Sequence, residues 1–499
     1  MKILLLNPID IHIAWPVKND FAKYLFCNPG VTFPLLASII GKKHTVFYFD
    51  GFYYQISIKE YKALIKQYDI ILLTIVDSLV SLNYEITIKL IKKLYPEKTI
   101  IAGGIHANIY AKEWLQKGVD IIVKGEAEKS LSPLIEALEQ KSSWQGINGL
   151  MYLENNVLKE TASMSLLDNL DDSPMPDWSI VDFKLYNLLL RKKGYSAAIE
   201  TSRGCINGCN FCLVNSFWKK SQRYKSIARV MDELKIFKSY GVSQFAMLDD
   251  GFANDIDRDT KLLEEILIAG LDLFWGCFLR IDTIIDHPKF VDLAAKSGLK
   301  RVVIGFEHTN AEILNRINKG LNKDIGDVRY AEAIDVLKRK NIFTTGLFIA
   351  GYPGLKKHEK LEYNKARKYC TDARAGNYKA LPSTFGYNDI SKKFDIEDMF
   401  YHDARLTSAK QASKEHFIFN LLATLDPVKY LLLFDFRYHF RQYFHTSLLL
   451  LFRQMLNFNF SKIKEFIVMK ILKMPIKDKK QYLINNYLSE EFIDLLISK

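Results

Sequence analysis

The sequence predicts an α/β protein with two successive parallel sheets, and two observations lead to that prediction. Short runs of branched apolar residues alternate with stretches of helical periodicity along residues 1–140, and the same alternation returns along residues 195–385. Continuous apolar strands that alternate with helices are typical of parallel sheets covered on both faces. Cys205, Cys209 and Cys212 follow the first strand of the second series, which makes its sheet the candidate site of chemistry.

Composition defines the class of protein to which this fold belongs. The chain has 499 residues, with 69 Lys and Arg against 57 Asp and Glu, a net charge of +12, and 48% hydrophobic residues. At about 100–200 residues per domain, the length predicts two to four domains, and a disulfide-stapled miniprotein or a disordered chain is excluded. The first residues lack the long apolar stretch and cleavage site of a secretory signal, so we expect a cytoplasmic protein.

The first region, residues 1–140, is predicted to be a doubly wound, Rossmann-like domain. Helical stretches separate five short apolar runs, which cover residues 3–6, 46–49, 70–73, 99–102 and 121–123. Residues 141–194 then interrupt this alternation with prolines and acidic side chains, and they are predicted to form a linker.

The second region, residues 195–385, is predicted to be a partial (β/α)6 barrel of the TIM type. Its expected strands lie near residues 198–201, 244–248, 274–279, 302–305 and 344–350, with helical stretches between them. In such barrels the chemistry takes place at the carboxyl ends of the strands.

The last region, residues 386–499, is basic and is predicted to be mostly α-helical. Residues 401–499 contain 15 Lys and Arg against 9 Asp and Glu, so 15 − 9 = 6 of the twelve net charges lie there. The longest apolar run, residues 448–452, is far shorter than the roughly 20 residues of a membrane span. A helical cap over the barrel and a surface for peripheral membrane contact both remain open, and we expect no nucleic-acid partner.

Cys205, Cys209 and Cys212 have the spacing Cys-x3-Cys-x2-Cys. Three thiolates on one short loop can hold three corners of an iron–sulfur cube, which leaves one iron open for a further ligand. Two alternatives remain: a zinc site completed by a distant residue, and an electron-transfer cluster completed by Cys277 or Cys370.

This cysteine loop resembles that of radical S-adenosylmethionine enzymes. Phe211 stands just before the last cysteine, and four further segments fall in the order of that family, namely residues 248–252, 278–282, 303–307 and 346–354. The resemblance implies a [4Fe–4S] cluster held by Cys205, Cys209 and Cys212, whose open iron chelates the amino and carboxylate groups of S-adenosylmethionine. It covers about residues 195–385 of the chain.

The same resemblance implies contacts between strand ends and S-adenosylmethionine. By position, Glu307 would reach the ribose and Arg280 the methionine carboxylate. Asp249 and Asp250 would lie near the amino group or near the substrate. The last segment brings Gly346 and Gly351 to the cofactor.

Two glycine turns in the first region resemble the cobalamin-binding domain of one radical S-adenosylmethionine subclass. Gly103 and Gly104 precede His106, and Gly125 and Glu126 follow the next strand. Glycine lets the backbone approach a bulky ligand closely, which suits these turns to that role.

The resemblance extends in part to His12. Many cobalamin proteins hold cobalt with a histidine from Asp-x-His-x-x-Gly; here Asp10 and His12 match, but Trp15 stands where glycine is expected. Since many radical enzymes of this subclass lack the motif, cobalt ligation by His12 and an ordinary loop histidine both stay open.

Together these resemblances imply an enzyme that reductively cleaves S-adenosylmethionine to a 5′-deoxyadenosyl radical and, with cobalamin, methylates an unactivated carbon. The alternatives are a non-methylating radical reaction, such as oxidative cyclisation, ring rearrangement or tetrapyrrole ring formation, and a non-catalytic iron–sulfur electron-transfer protein. The implied partners are an electron donor such as flavodoxin or ferredoxin and a small-molecule, lipid or peptide substrate.

Overall fold

The computed structural model describes ten ranges of the chain, together with residues 381, 384 and 387. These ranges are residues 1–8, 28–51, 53–54, 56–76, 81–163, 165–186, 194–317, 327–352, 362–366 and 368–378. They form two compact units: unit 1 takes in residues 1–8 and 36–163, and unit 2 takes in residues 28–35 and those from 165 onward. None of the helices in these ranges combines the length and apolarity needed to cross a bilayer.

Unit 1 is built on a seven-stranded sheet. Its strands are β1 (Lys2–Asn7), β2 (Thr45–Asp50), β3 (Ile70–Thr74), β4 (Thr99–Gly103), β5 (Ile121–Val123), β6 (Leu150–Glu154) and β7 (Val157–Glu160). The order in the sheet is β2-β1-β3-β4-β5-β6-β7, and the first five strands are parallel. The order 2-1-3-4-5 is that of doubly wound, flavodoxin-like sheets, which bind ligands where the strand order reverses, here between β1 and β3.

The strands of this sheet are apolar because helices cover both of its faces. Residues 3–6 of β1 are all 0% exposed, so consecutive side chains on opposite faces are equally buried. The helices along this part of the chain are α1 (Thr32–Ile40), α2 (Ile58–Lys66), α3 (Ser81–Leu94), α4 (Ile105–Ile109), α5 (Ala111–Gln116) and α6 (Leu131–Glu139). A capping box of Ser57 and Glu60 begins α2.

The start of the expected linker belongs to this sheet. Strands β6 and β7 form an antiparallel hairpin, and β6 pairs with β5. Residues 150–160, predicted as linker, therefore extend the sheet as a hairpin at its edge, where the outer strand β7 is mostly exposed.

Unit 2 contains a six-stranded, wholly parallel sheet whose spatial order follows the order of the chain. Its strands are β8 (Tyr195–Ile199), β11 (Val242–Met247), β12 (Phe274–Leu279), β13 (Leu299–Glu307), β14 (Phe343–Ala350) and β15 (Asp372–Asn377), with β9 (Ser202–Gly204) and β10 (Gln222–Tyr224) as a separate antiparallel pair. The expected α/β class with parallel sheets is confirmed.

Helices follow most strands of this sheet. They are α7 (Leu213–Phe217), α8 (Ile227–Ser239), α9 (Ile256–Ile268), α10 (Ile281–Asp286), α11 (Pro288–Lys296), α12 (Ala311–Arg316), α13 (Asp327–Arg339) and α14 (Tyr363–Ala366). Ser226, Asp255 and Asn310 cap α8, α9 and α12 by accepting backbone N–H bonds. The predicted C-terminal region, residues 386–499, lies outside the described residues except for residue 387.

The two faces of this sheet differ in burial. Cys277 and Leu279 on β12 are buried, whereas Phe278 between them is 44% exposed. Behind β13 and β14, the ring of Phe306 stacks on Phe348 with centroids 5.4 Å apart and contacts Tyr330 and Tyr369. One face thus forms the core of unit 2, and the other is partly open.

An ion-pair cluster beside α8 provides a test of this core. Glu233 is fully buried and accepts from Lys225 Nζ at 2.7 Å and from Arg229 Nε at 3.1 Å. We expect Glu233→Ala to lower the free energy of unfolding by about 3–5 kcal/mol, measured by urea denaturation. The reason is that the substitution leaves the buried Lys225 ammonium without its carboxylate partner.

The neighbouring Asp232→Ala is the matched control. Asp232 pairs with Lys235 on the surface, where both side chains are mostly exposed, so we expect a loss below about 1 kcal/mol. Equal losses in the two variants would contradict a special role for the buried cluster.

Candidate active site

The three cysteines lie on a loop that is fixed at both ends. At its base, β9 and β10 pair antiparallel, with Gly204 opposite Gln222, and so enclose residues 205–221. At its far end, the Cys212 N–H donates to the Cys209 carbonyl at 3.2 Å, and Cys212 is the first cap residue of α7. No apolar pattern in the sequence indicates this ladder, because its six residues are polar or glycine apart from Tyr224.

The cysteine thiols lie close enough to influence one another. The pKa of Cys212 is raised to about 11, mainly by burial, and the neighbouring Cys209 and Cys205 contribute to this rise. Within the described part of the chain, no three His, Cys, Asp or Glu side chains converge on one point as ligands of a single ion would. An iron–sulfur cube does not require such convergence, since each thiolate binds a different iron.

Asp249 lies at the end of β11 and holds the segment before the cysteine loop. It is 1% exposed, and its carboxylate accepts from Thr201 N–H at 2.6 Å, Thr201 Oγ1 at 2.5 Å and Ser202 Oγ at 2.8 Å. Burial raises the pKa of Asp249 to about 6, although these hydrogen bonds act in the opposite direction. Both carboxylate oxygens are thus engaged inside the protein, and the contacts differ from the cofactor contact expected from the sequence.

Asp250 and Arg280 lie beside the cysteine loop. Asp250 is exposed, and its Oδ2 accepts from Trp218 Nε1 at 3.0 Å and from the Gly204 N–H at 3.3 Å. Arg280 follows β12 and pairs with Asp282: its Nη2 donates to Asp282 Oδ2 at 2.7 Å. Asp282 and the nearby thiols of Cys209 and Cys205 raise the pKa of Arg280 against the opposing effect of burial, which puts this cation beside the cysteine loop.

Glu307 ends β13 in an unusual backbone conformation. Its φ is +63°, in the left-handed region, and the pairing of β13 with β14 is irregular between Gly305 and Glu307. Such bulges re-aim side chains at sheet edges, and the left-handed backbone of a residue with a Cβ costs free energy that the surrounding structure must offset. The side chain of Glu307 is 8% exposed.

The two glycines of the last segment differ in role. A Cβ on Gly346 would lie 2.7 Å from Cys370 Sγ and 3.0 Å from Phe306 Cδ2, so this glycine makes room for core packing within β14. Gly351 follows β14 with φ +72° and is half-buried. Gly346 therefore serves the core of unit 2, which the sequence motif did not indicate.

In unit 1, Gly103 and Gly104 turn the chain from β4 into α4. Gly104 has φ +94°, and a Cβ there would lie 2.6 Å from the Ile75 carbonyl oxygen, which accepts from the His106 and Ala107 N–H groups. His106 is 4% exposed; its Nδ1 accepts from Trp114 Nε1 at 3.0 Å, and its ring contacts Tyr110. His106 is thus buried between two aromatic side chains.

Asn108 joins the two glycine turns, and sequence reasoning missed it. Its Nδ2 donates to the Gly104 carbonyl at 2.8 Å, and its Oδ1 accepts from the Gly125 N–H at 3.0 Å. Gly125 has φ +77°, and Glu126 is 7% exposed. The only available signal was an amide side chain in the short helix after the first turn.

A second polar chain joins the carboxyl ends of β1, β2 and β3. Asn7 Nδ2 donates to Tyr48 Oη at 3.3 Å, and Tyr48 Oη donates to Asp50 Oδ2 at 2.8 Å. Tyr84 Oη lies 3.3 Å from Asn7 Oδ1 and donates to the Thr74 carbonyl at 2.6 Å, which connects this chain to β3. This edge of the sheet is therefore ordered where doubly wound folds bind ligands, whereas His12 lies outside the described residues.

Comparison with known proteins assigns the family. The model of the radical S-adenosylmethionine superfamily matches residues 199–363, which contain the cysteine loop and the strand ends from β11 to β14. The chain therefore contains a domain of the radical S-adenosylmethionine superfamily at residues 199–363. The resemblance found in its sequence is thereby confirmed.

Two relatives are similar in sequence to much of this chain. An uncharacterized methyltransferase of Pyrococcus horikoshii is 27% identical over 360 residues, 71% of this chain and 74% of that protein. The anaerobic magnesium-protoporphyrin IX monomethyl ester cyclase of Cereibacter sphaeroides is 28% identical over 326 residues, 63% of this chain and 52% of the cyclase. The chain thus spans about half the length of the cyclase.

Among solved structures, the radical S-adenosylmethionine methyltransferase TsrM from Kitasatospora setae has a similar fold. With tryptophan and a cofactor analogue bound, it superposes with a TM-score of 0.62 at 16% identity, covering 86% of this chain and 90% of that chain. At this identity the likeness concerns the fold alone.

Gly104→Ala tests whether the close contact between Gly104 and the Ile75 backbone requires glycine. The positive φ and the clash with the Ile75 carbonyl are expected to lower the free energy of unfolding by about 2–4 kcal/mol in urea denaturation. Gly103→Ala is the control, because its Cβ would meet only the Val123 carbonyl at 3.8 Å, an ordinary contact. A similar loss in both variants would contradict this interpretation.

Asp249 predicts a pH dependence of stability. Because burial raises its pKa from 3.8 to about 6, protonation favours the folded state, and this contribution is lost as the pH rises through 6. Between pH 4 and pH 7, we expect the unfolding free energy of the wild type to fall by up to about 3 kcal/mol relative to Asp249→Asn. Urea denaturation at a series of pH values measures this difference, and parallel curves would contradict it.

Proposed function

We propose that this protein is a cobalamin-dependent radical S-adenosylmethionine enzyme that methylates an unactivated carbon. The single observation that carries the proposal is the loop of Cys205, Cys209 and Cys212 at the carboxyl end of β8, inside the segment matched by the superfamily model. When bound, the cluster would supply one electron that breaks a carbon–sulfur bond of S-adenosylmethionine and yields a 5′-deoxyadenosyl radical.

The residues present fit a cluster with three protein ligands. Gly251 lies against the loop: a Cβ there would be 3.2 Å from Cys205 Sγ, so the space beside this sulfur depends on glycine. Among the other described cysteines, Cys277 is buried within β12, and Cys370 packs against Gly346. Both are engaged in packing, which supports an open fourth corner over an electron-transfer cluster with four cysteines.

Arg280 and Glu307 are the side chains proposed to hold S-adenosylmethionine. Asp282 fixes the Arg280 guanidinium by accepting from its Nε and Nη2. The guanidinium beside the cysteine loop is proposed to bind the methionine carboxylate. Glu307 follows the bulge of β13 at the same end of the sheet and is proposed to accept the ribose hydroxyls. Asp249 is proposed to act through Thr201 and Ser202 as a positioning residue for the loop.

Unit 1 is proposed to hold the corrin at the carboxyl edge of its sheet. Its strand order gives a ligand site between β1 and β3, and the turns at Gly104 and Gly125 are tied together by Asn108 at this edge. Structures of TsrM with cobalamin and a [4Fe–4S] cluster, and of OxsB with aqua-cobalamin and S-adenosylmethionine, share this fold. Gly103, Gly125 and Glu126 are the proposed contacts, with His12 as a further candidate.

Methylation is favoured by the names of several relatives. Besides the Pyrococcus horikoshii protein, the hopanoid C-3 methylase of Methylococcus capsulatus is 26% identical over 51% of this chain. The second candidate is a non-methylating cyclisation, which the identity to anaerobic cyclases supports. A low-potential one-electron donor of the flavodoxin or ferredoxin class would serve either reaction, and peripheral membrane contact through the basic C-terminal region is proposed only from its charge.

Anaerobic reconstitution tests the proposal. We expect the wild type to bind iron and sulfide and to cleave S-adenosylmethionine to methionine and 5′-deoxyadenosine under reduction, and Cys209→Ala to lose both properties. Cys277→Ala is the matched control, since its thiol lies buried within β12, and it should keep both.

Methyl-deuterated S-adenosylmethionine separates the two candidate reactions. In extracts of the native cells, methylation predicts a product that carries the deuterated methyl group. An unlabelled product formed together with 5′-deoxyadenosine would favour cyclisation, and a wild type that takes up no iron would refute the proposed function.

A further inference from the structure

Two side-chain amides point their N–H groups at the sulfur of Cys205. Asn207 Nδ2 lies 3.2 Å from Cys205 Sγ, and Asn254 Nδ2 lies 3.6 Å from it. Asn254 comes from the turn between β11 and α9, 49 residues away along the chain. Asn254, which follows a different strand, thus contributes the second of the two amides next to Cys205.

The direction of both amides follows from a chain of hydrogen bonds that starts at a backbone carbonyl. The Gly251 carbonyl can only accept, so Gln222 must present its Nε2 to it, at 2.8 Å. The Oε1 of Gln222 then faces Asn254 and accepts from Asn254 Nδ2 at 2.7 Å. Asn254 Oδ1 in turn accepts from Asn207 Nδ2 at 3.2 Å.

Each asparagine has one N–H left after this chain is complete. Asn254 uses one hydrogen for Gln222, and Asn207 uses one for Asn254, so the second hydrogen of each amide faces the sulfur. A flipped amide at either position would bring two donors or two acceptors together. The sulfur of Cys205 therefore receives two donors whose orientation is fixed.

The turn that carries Asn254 is shaped for this contact. Ala253 has φ +62°, and its N–H donates to the buried carboxylate of Asp259 at 2.8 Å, which stabilises the left-handed backbone. Gly251 lacks the Cβ that would lie 2.3 Å from Asn254 Nδ2. Both features leave the amide beside the sulfur.

We propose that Asn207 and Asn254, oriented by Gln222, raise the reduction potential of the iron–sulfur cluster through Cys205. This inference rests on the proposed function, in which Cys205 is a cluster ligand. One-electron reduction adds negative charge that is shared by the sulfur ligands, and N–H donors stabilise that charge. The three amides are positioning residues: they ease reduction of the cluster and touch no substrate.

The test is a potentiometric titration of the reconstituted full-length protein with dithionite, followed by electron paramagnetic resonance. Asn254→Leu and Asn207→Leu remove the donors at nearly constant size, and each should lower the midpoint potential by up to about 59 mV, a tenfold change in the one-electron equilibrium constant. Gln222→Leu should cause a smaller shift in the same direction, because it frees the orientation of Asn254.

Asn210→Leu is the matched control. Asn210 lies in the same loop, but its Nδ2 donates to the Arg316 carbonyl at 2.9 Å, so its midpoint should equal that of the wild type. Variants with full iron content and an unchanged midpoint would overturn the inference. Loss of iron from both Asn254→Leu and Asn207→Leu, with iron kept in Asn210→Leu, would also overturn it, because the amides would then only hold the loop.

Iron analysis of the wild type keeps this inference distinct from the proposed function. A wild type without a cluster refutes the proposed function and the inference together. A wild type with a cluster, beside variants of unchanged midpoint, refutes the inference alone.

Discussion

The buried carboxylate of Asp249 is the constraint on which the geometry of the cysteine loop depends. It lies two residues after the end of β11 and accepts three hydrogen bonds from Thr201 and Ser202, which follow β8. These bonds fix where β9 begins, and the pairing of β9 with β10 then sets the position of Gln222. In a low-dielectric interior such a network is strong when it is complete, so it restrains the segment that leads into the loop.

The parallel sheet of unit 1 could be predicted because both of its faces are buried. Strands β1 and β3 contain continuous apolar runs, and this signal does not depend on distant contacts. The three cysteines could be predicted as a group for a similar reason, since their spacing is local. The glycines could also be singled out from the sequence, but their roles could not. Gly346 makes room for side chains of the core, and Gly104 lets the backbone lie close to the Ile75 carbonyl.

The features that escaped prediction depend on partners far away in the chain. The ladder of β9 and β10 is short and polar, and the hairpin of β6 and β7 lies in a stretch whose prolines and charges favour a linker. Asp249 and Asp250 are adjacent and identical in type, yet one is buried and the other exposed, because successive residues at a strand end face opposite sides. No local pattern distinguishes them, nor does one reveal that Asn254 reaches Cys205.

The left-handed backbone of Glu307 has a consequence for protein engineering. For a residue with a Cβ, this conformation costs roughly 1–2 kcal/mol, and glycine would adopt it freely. Folding alone therefore favours glycine at this position, whereas the proposed ribose contact requires a carboxylate. A search for thermostable variants that scores melting temperature only would tend to replace Glu307. Under the proposed function, such a gain in stability would come with weaker binding of S-adenosylmethionine.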